Sequence, residues 1–284
     1  MSSEGVNSTI MAEEKGTRHY DEDSDRMEAI KQFRTAASVN MTPELFEKLY
    51  LAPQTSVKGD LRRTFANPTP IAIVGFLLSL TPLSCDLMGW RGAGGNGAAS
   101  IAVYFFQGGI LMFVGGLLEW VLGNTFPAVV FLSFGTFWLS YAGTLNPSFA
   151  AISSYAPPDA KSGAEGAITQ GYNASIGFWF LFMGVLCFIY FICSLRTNVA
   201  FAVIFLSLVV AFALLTGGFW ALAADYTGNA AYAGKLIVGA GASLFVTCIS
   251  GWWLLTAILL AELRFPISLP VGDLSNVIKP RRDD

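Results

Sequence analysis

Charge, histidine and cysteine are all scarce in this sequence. Asp, Glu, Lys and Arg make up 13% of its 284 residues, histidine occurs once, as His19, and cysteine four times. With one histidine, no CxxC pair and no Cys/His cluster, neither a structural metal site nor a histidine-based catalytic centre is expected among the apolar segments. Cys85, Cys187, Cys193 and Cys248 stand in or at the edges of apolar runs, a placement that reads as buried thiols rather than a disulfide framework. No basic block marks a nucleic-acid surface, and the net charge of -3 names no partner. The first residues lack a basic n-region followed by an apolar h-region, so they are not read as a secretory signal. Nothing in the pattern calls for a cofactor.

What is abundant is apolar surface. Hydrophobic residues reach 54%, mean hydropathy is +0.54, and 11 acidic and 9 basic residues are gathered within the first 64 positions. A polar tail, 1–64, therefore precedes an apolar body, 65–265, with a further tail over 266–284. A hydrocarbon core roughly 30 Å thick needs about 20 apolar helical residues to cross it. Six runs meet that length: 71–90, 101–122, 128–145, 176–195, 199–223 and 236–260. They are continuously apolar, without the alternation of barrel strands, so the fold class is an all-α membrane protein of six transmembrane helices.

Lysine and arginine near the span ends set the orientation. Lys58, Arg62, Arg63, Arg196, Arg264, Lys279, Arg281 and Arg282 fall on one face, against Arg91, Lys161 and Lys235 on the other. Both termini are expected in the cytoplasm, with 92–97 and 146–173 as outer loops and the plasma membrane as the setting. Asn173 heads a sequon too near the fourth span to be used; those at Asn7 and Asn40 lie in the inner tail. Within that tail, 43–50 combines a Thr42 cap, Pro43 and apolar Leu45, Phe46, Leu49 and Tyr50, the pattern of a short amphipathic helix on the membrane surface.

Gly239, Ser243, Thr247 and Gly251 recur every four residues in the sixth span, and Gly108-Gly109 is repeated at Gly115-Gly116 in the second. Such small-residue ridges let membrane helices approach closely, either inside one protomer or between copies. Ionisable residues at depth are costly and often functional. Asp86, Glu119 and Lys235 are the candidates, all placed near membrane interfaces, with Glu119 and Asp86 open to a proton-linked or structural role.

The stretch Asn67-Pro68-Thr69-Pro70 stands immediately before the first span. Asn is a good N-cap and proline suits a first helical turn, so NPTP makes a firm helix start. The same physics offers a functional reading, because a helix start presents unpaired N–H groups that favour an anion. NPTPIAIVGF resembles the signature NPxPxGLxGF of the acetate uptake transporter family. Further elements follow in the family's order: Gly116-Leu117-Leu118-Glu119-Trp120, Gly123-Asn124-Thr125-Phe126 and Ser133-Phe134-Gly135-Thr136-Phe137-Trp138. The ending Leu269-Pro270-Val271-Gly272-Asp273-Leu274-Ser275 is similar to that of the family's fungal branch.

That resemblance implies a six-helix protomer, commonly a hexamer, with a path for acetate or another short monocarboxylate inside each protomer; since no Lys or Arg sits mid-span to neutralise an anion, the carboxylate is expected to pass with a proton or as the neutral acid. Carried over position by position, it implies a hydrophobic constriction of Phe76, Phe134 and Leu208; the helix-start reading adds Asn67, Pro68, Thr69 and Pro70 as the expected inner mouth. The chain departs from the pattern at Ala72, in place of glycine, at Leu77-Leu78-Ser79-Leu80-Thr81-Pro82, where relatives read GxTT, and at Phe134, which lacks a tyrosine hydroxyl. These changes make the path greasier. Ammonium export, or a sensor or organiser that keeps the fold without transporting, are the alternatives. An intramembrane serine protease has no histidine in any span to activate a serine. An aquaporin needs its Asn-Pro steps near the midplane, whereas here they lie outside the spans.

Overall fold

The computed structural model describes residues 65–274 and 278, all of them within the unit Glu47–Asp284. The tail 1–64, with the amphipathic stretch 43–50, lies outside the described residues. Six helices long and apolar enough to cross a bilayer follow one another: α1 (Thr69–Leu87), α2 (Gly95–Val121), α3 (Thr125–Leu145), α4 (Gln170–Ser194), α5 (Val199–Ala224) and α6 (Ala230–Glu262).

The six expected runs are these helices, and the differences lie at their ends. α4 and α6 each begin six residues before the apolar run, at Gln170 and Ala230, because segments such as Ala230-Ala231-Tyr232-Ala233 are good helix formers without being a hydrophobic run. At 33 residues α6 would be roughly 50 Å long, more than the hydrocarbon core, so it tilts or projects beyond it. α2 is not uniform. Tyr104–Leu111 is a π-helical turn between α-helical segments, an irregularity that hydrophobic periodicity does not reveal.

α1 packs against α2 and α6, α5 against α4 and α6, and α2 against α3. Burial separates the helices by role. Over half of the apolar window is buried in α1, α3 and α5, at 56%, 56% and 61%, against 33% in α2 and 22% in α4. The odd-numbered helices therefore form the interior, and α2 and α4 turn large apolar side chains such as Phe106, Trp120, Phe182 and Phe188 outward, as lipid requires.

Both small-residue ridges serve packing within the protomer. In α6 the Ser243 hydroxyl donates to the Ser207 carbonyl at 2.8 Å, Thr247 pairs with the Ser207 hydroxyl at 2.7 Å, and Gly251 faces Leu77 of α1. The glycine pairs of α2 lie against α1 and α3, with Gly115 on Ala72 and Gly116 on Leu132. α1 and α2 approach backbone to backbone at Gly75, where a Cβ would stand 2.5 Å from the Gln107 carbonyl oxygen of the π-helical turn. The cysteines divide: Cys187 and Cys248 are buried as expected, but Cys85 is half-buried and Cys193 is exposed on the outward side of α4. An outward thiol there faces lipid, which an apolar run cannot distinguish from core.

Candidate functional site

At the end of the molecule where α1 begins, three separated stretches of sequence meet in a polar node, buried at Thr69, Glu119 and Asn124 and exposed at Glu262. Asn67 Oδ1 accepts the Thr69 N–H at 3.0 Å, and Asn67 Nδ2 donates to Glu262 Oε1 at 2.9 Å, tying the start of α1 to the end of α6. The Thr69 hydroxyl donates to Glu119 Oε1, and Asn124 Nδ2 donates to Glu119 Oε2 at 2.6 Å. Glu119 is 0% exposed. A carboxylate removed from water is costly unless its oxygens are hydrogen-bonded, and here both have donors.

Glu119 stands two residues before the end of α2, and protein covers it there: the turn at Gly123, with φ +79°, folds α3 back over the end of α2 and seals the carboxylate beneath Asn124. The first-turn N–H groups of α1, expected to be unpaired, are engaged. Thr69 bonds to Asn67, Pro70 has no N–H, and Ile71 donates to the Pro68 carbonyl at 3.0 Å.

About two turns of α1 beyond this node lies the throat. Phe76 of α1, Phe134 of α3 and Leu208 of α5 are 8%, 4% and 2% exposed, so the passage between them is shut. The Phe76 and Phe134 rings meet edge to face, with centroids 6.1 Å apart and planes at 72°. A cavity opens on each side of the three residues. The one toward the end of α1, ≈ 60 Å³ and called outer after the expected orientation, extends to Tyr141, Leu145 and Tyr172; the other, called inner, ≈ 30 Å³, is lined by Ile73, Phe131, Phe201, Phe205 and Leu254 among others. Each has room for a few waters at most. Phe76, Phe134 and Leu208 are the residues common to the two linings. Neither lining includes a lysine or arginine.

Beside the throat, Tyr190 of α4 places its hydroxyl 3.0 Å from Ser133 Oγ, with its ring 6.5 Å from that of Phe134. No sequence signal pointed to it, since Tyr190 sits in an uninterrupted apolar run. Asp86, half-buried in the last turn of α1, and exposed Lys235, in the second turn of α6, line neither cavity. Asn173 is buried, and its side-chain amide donates to the Ala167 and Thr169 carbonyls at 2.9 and 2.8 Å.

Six membrane-length helices around a closed apolar throat, with a cavity at either side, define a small membrane carrier or channel rather than an enzyme. The chain belongs to the GPR1/FUN34/yaaH family, whose model matches residues 51–276. It is 42% identical over 238 residues to Protein alcS of Aspergillus fumigatus, covering 84% of this chain and 86% of that one. It is 35% identical over 157 residues to Acetate permease A of Emericella nidulans, covering 55% of this chain and 50% of the permease. Among solved structures, the bacterial acetate channel SatP superposes with a TM-score of 0.57 at 28% identity, over 73% of this chain and 99% of the channel.

Proposed function

We propose that this chain conducts acetate and similar short monocarboxylates, each accompanied by a proton, through the throat of Phe76, Phe134 and Leu208. The observation that supports the reading most is that these three residues alone are shared by the linings of the two cavities. An aliphatic and two aromatic side chains offer a carboxylate nothing to replace its hydration, and stripping an ion of water costs several kcal/mol or more. The neutral acid carries no such penalty, so a proton that travels with the anion lowers the barrier at the throat. Asn67, Pro68, Thr69 and Pro70, tied to Glu119 through Thr69 and to Glu262 through Asn67, frame the inner end of the path. The protein acts in the plasma membrane with both termini in the cytoplasm, assembled as a homo-oligomer.

A second reading has one observation in its favour: the outer cavity is rich in aromatic faces, including Phe137, Trp138 and Trp179, which suit a small cation such as ammonium. Uptake of labelled acetate by cells lacking their own acetate carriers separates the two. Saturable uptake that rises as the medium is acidified, is competed by propionate and falls in Phe76→Trp supports the carboxylate path. Competition by ammonium but not propionate favours the cation. No acetate uptake by protein shown to be at the cell surface refutes the carboxylate path; if labelled methylammonium is not carried either, the cation reading falls too and a sensor or organiser is left.

A further inference from the structure

The first four N–H groups of a helix have no partner within it, and the accounting at α5 is unusual. Phe201 and Ala202 donate to the side chain and carbonyl of Asn198, at 2.9 and 3.2 Å. Val199 and Ala200 donate to carbonyls from the far end of the sequence, those of Gly272 at 2.8 Å and Val271 at 3.4 Å. The Leu274 N–H returns a bond to the Thr197 carbonyl at 3.0 Å, so Asn198 and Asp273 form an antiparallel bridge. Val271 is 4% exposed, and the Trp253 indole of α6 donates to the Pro270 carbonyl at 2.8 Å. Gly272 adopts φ +71°, and a Cβ there would lie 2.6 Å from Val199 Cγ2. Residues 270–274 are therefore a strap seated on the inner end of α5 and α6.

α5 also carries Phe201, Ile204, Phe205 and Leu208, which line the inner cavity and, at Leu208, the throat. α6 adds Gly251 and Leu254 to the same lining, next to the strap's anchor Trp253. We propose that residues 270–274 are a positioning strap for the throat: seated, they hold the inner end of α5 against α6 and keep the passage closed, and displaced, they let that end move outward and widen the inner cavity. The strap's link to transport rests on the reading of the throat as the substrate path, but its link to the cavity does not.

The test uses the full chain with its four cysteines replaced by alanine and one cysteine introduced by Ile204→Cys, in membranes opened so that a water-soluble maleimide reaches both faces. Labelling is compared with the strap intact, with Val271→Ser, and with Gly272→Ala, alongside acetate uptake by the same proteins. Labelling on the order of tenfold faster in both strap variants is expected, because each weakens the seat that supplies two helix-capping bonds. Faster labelling together with faster uptake supports strap and path alike. Faster labelling with no acetate uptake in any protein supports the strap and removes the transport reading. Unchanged labelling in both variants overturns the proposal, as does loss of folded protein in both, which would make the segment a stability element only.

Discussion

Trimming Leu208 to alanine should open the throat. The side chain is almost fully buried, yet it borders voids of ≈ 60 and ≈ 30 Å³ on its two sides, so it has fewer packing partners than a leucine in a closed core. Leucine-to-alanine changes in closed cores cost about 2–5 kcal/mol, and the lower end, about 2 kcal/mol, is expected here. That leaves folded protein to assay. In a tight apolar site one extra methylene is discriminated by about 1–3 kcal/mol, or roughly 10- to 200-fold. Joining the two cavities removes the side chain that imposes the size limit. The ratio of acetate to butyrate uptake should therefore fall by at least about tenfold in Leu208→Ala, chiefly through a gain for butyrate. The assay is initial uptake of each labelled acid, normalised to protein at the cell surface. A ratio unchanged in well-expressed protein would show that the throat does not set the size limit, and the assignment of the path would fail with it.

Replacing Glu119 with glutamine keeps the volume and leaves both pairings possible, the amide N–H donating to the Thr69 hydroxyl and the amide oxygen accepting from Asn124, but it removes the charge from both bonds; a loss of about 1 kcal/mol is expected, read as a drop of a few degrees in the melting temperature of purified protein. An unchanged melting temperature would show that the node is not organised around the carboxylate. Gly75→Ala drives a Cβ into the backbone of the π-helical turn and should cost about 1–3 kcal/mol, visible as reduced surface expression, whereas Gly94→Ala meets nothing within 4 Å and should be silent. Asn173, buried and hydrogen-bonded through its amide, should carry no glycan, so glycosidase treatment should leave the mobility of the wild type identical to that of Asn173→Gln.

The six spans were legible because apolar length is a local property, recorded in consecutive residues. The ends were less so: Gln170 and Ala230 start helices on propensity and tertiary contact where hydropathy has already faded. Phe76, Phe134 and Leu208 could be named beforehand only through resemblance, since each looks like ordinary core; that they lie together between two cavities is a fact of three helices, not of any one segment. Glu119 shows the opposite case. Its place near the end of a span suggested an interface, and only the return of α3 through Asn124 buries it. Neither the π-helical turn nor the placement of Tyr190 beside Phe134 leaves a mark in periodicity, because both depend on how neighbouring helices crowd.

The throat is bounded by α1, α3 and α5, and in an alternating bundle these three run the same way, each starting at the face that carries Asn67, Asn124 and Asn198. Their partial positive ends, roughly half a charge each, are therefore gathered at one face, while those of α2, α4 and α6, which run the other way, are gathered at the opposite face. Over the whole bundle the six dipoles oppose one another, so each field is confined to the first or last turn of its own helix. That local field belongs to the backbone, so it persists through any side-chain substitution that leaves the helices in place.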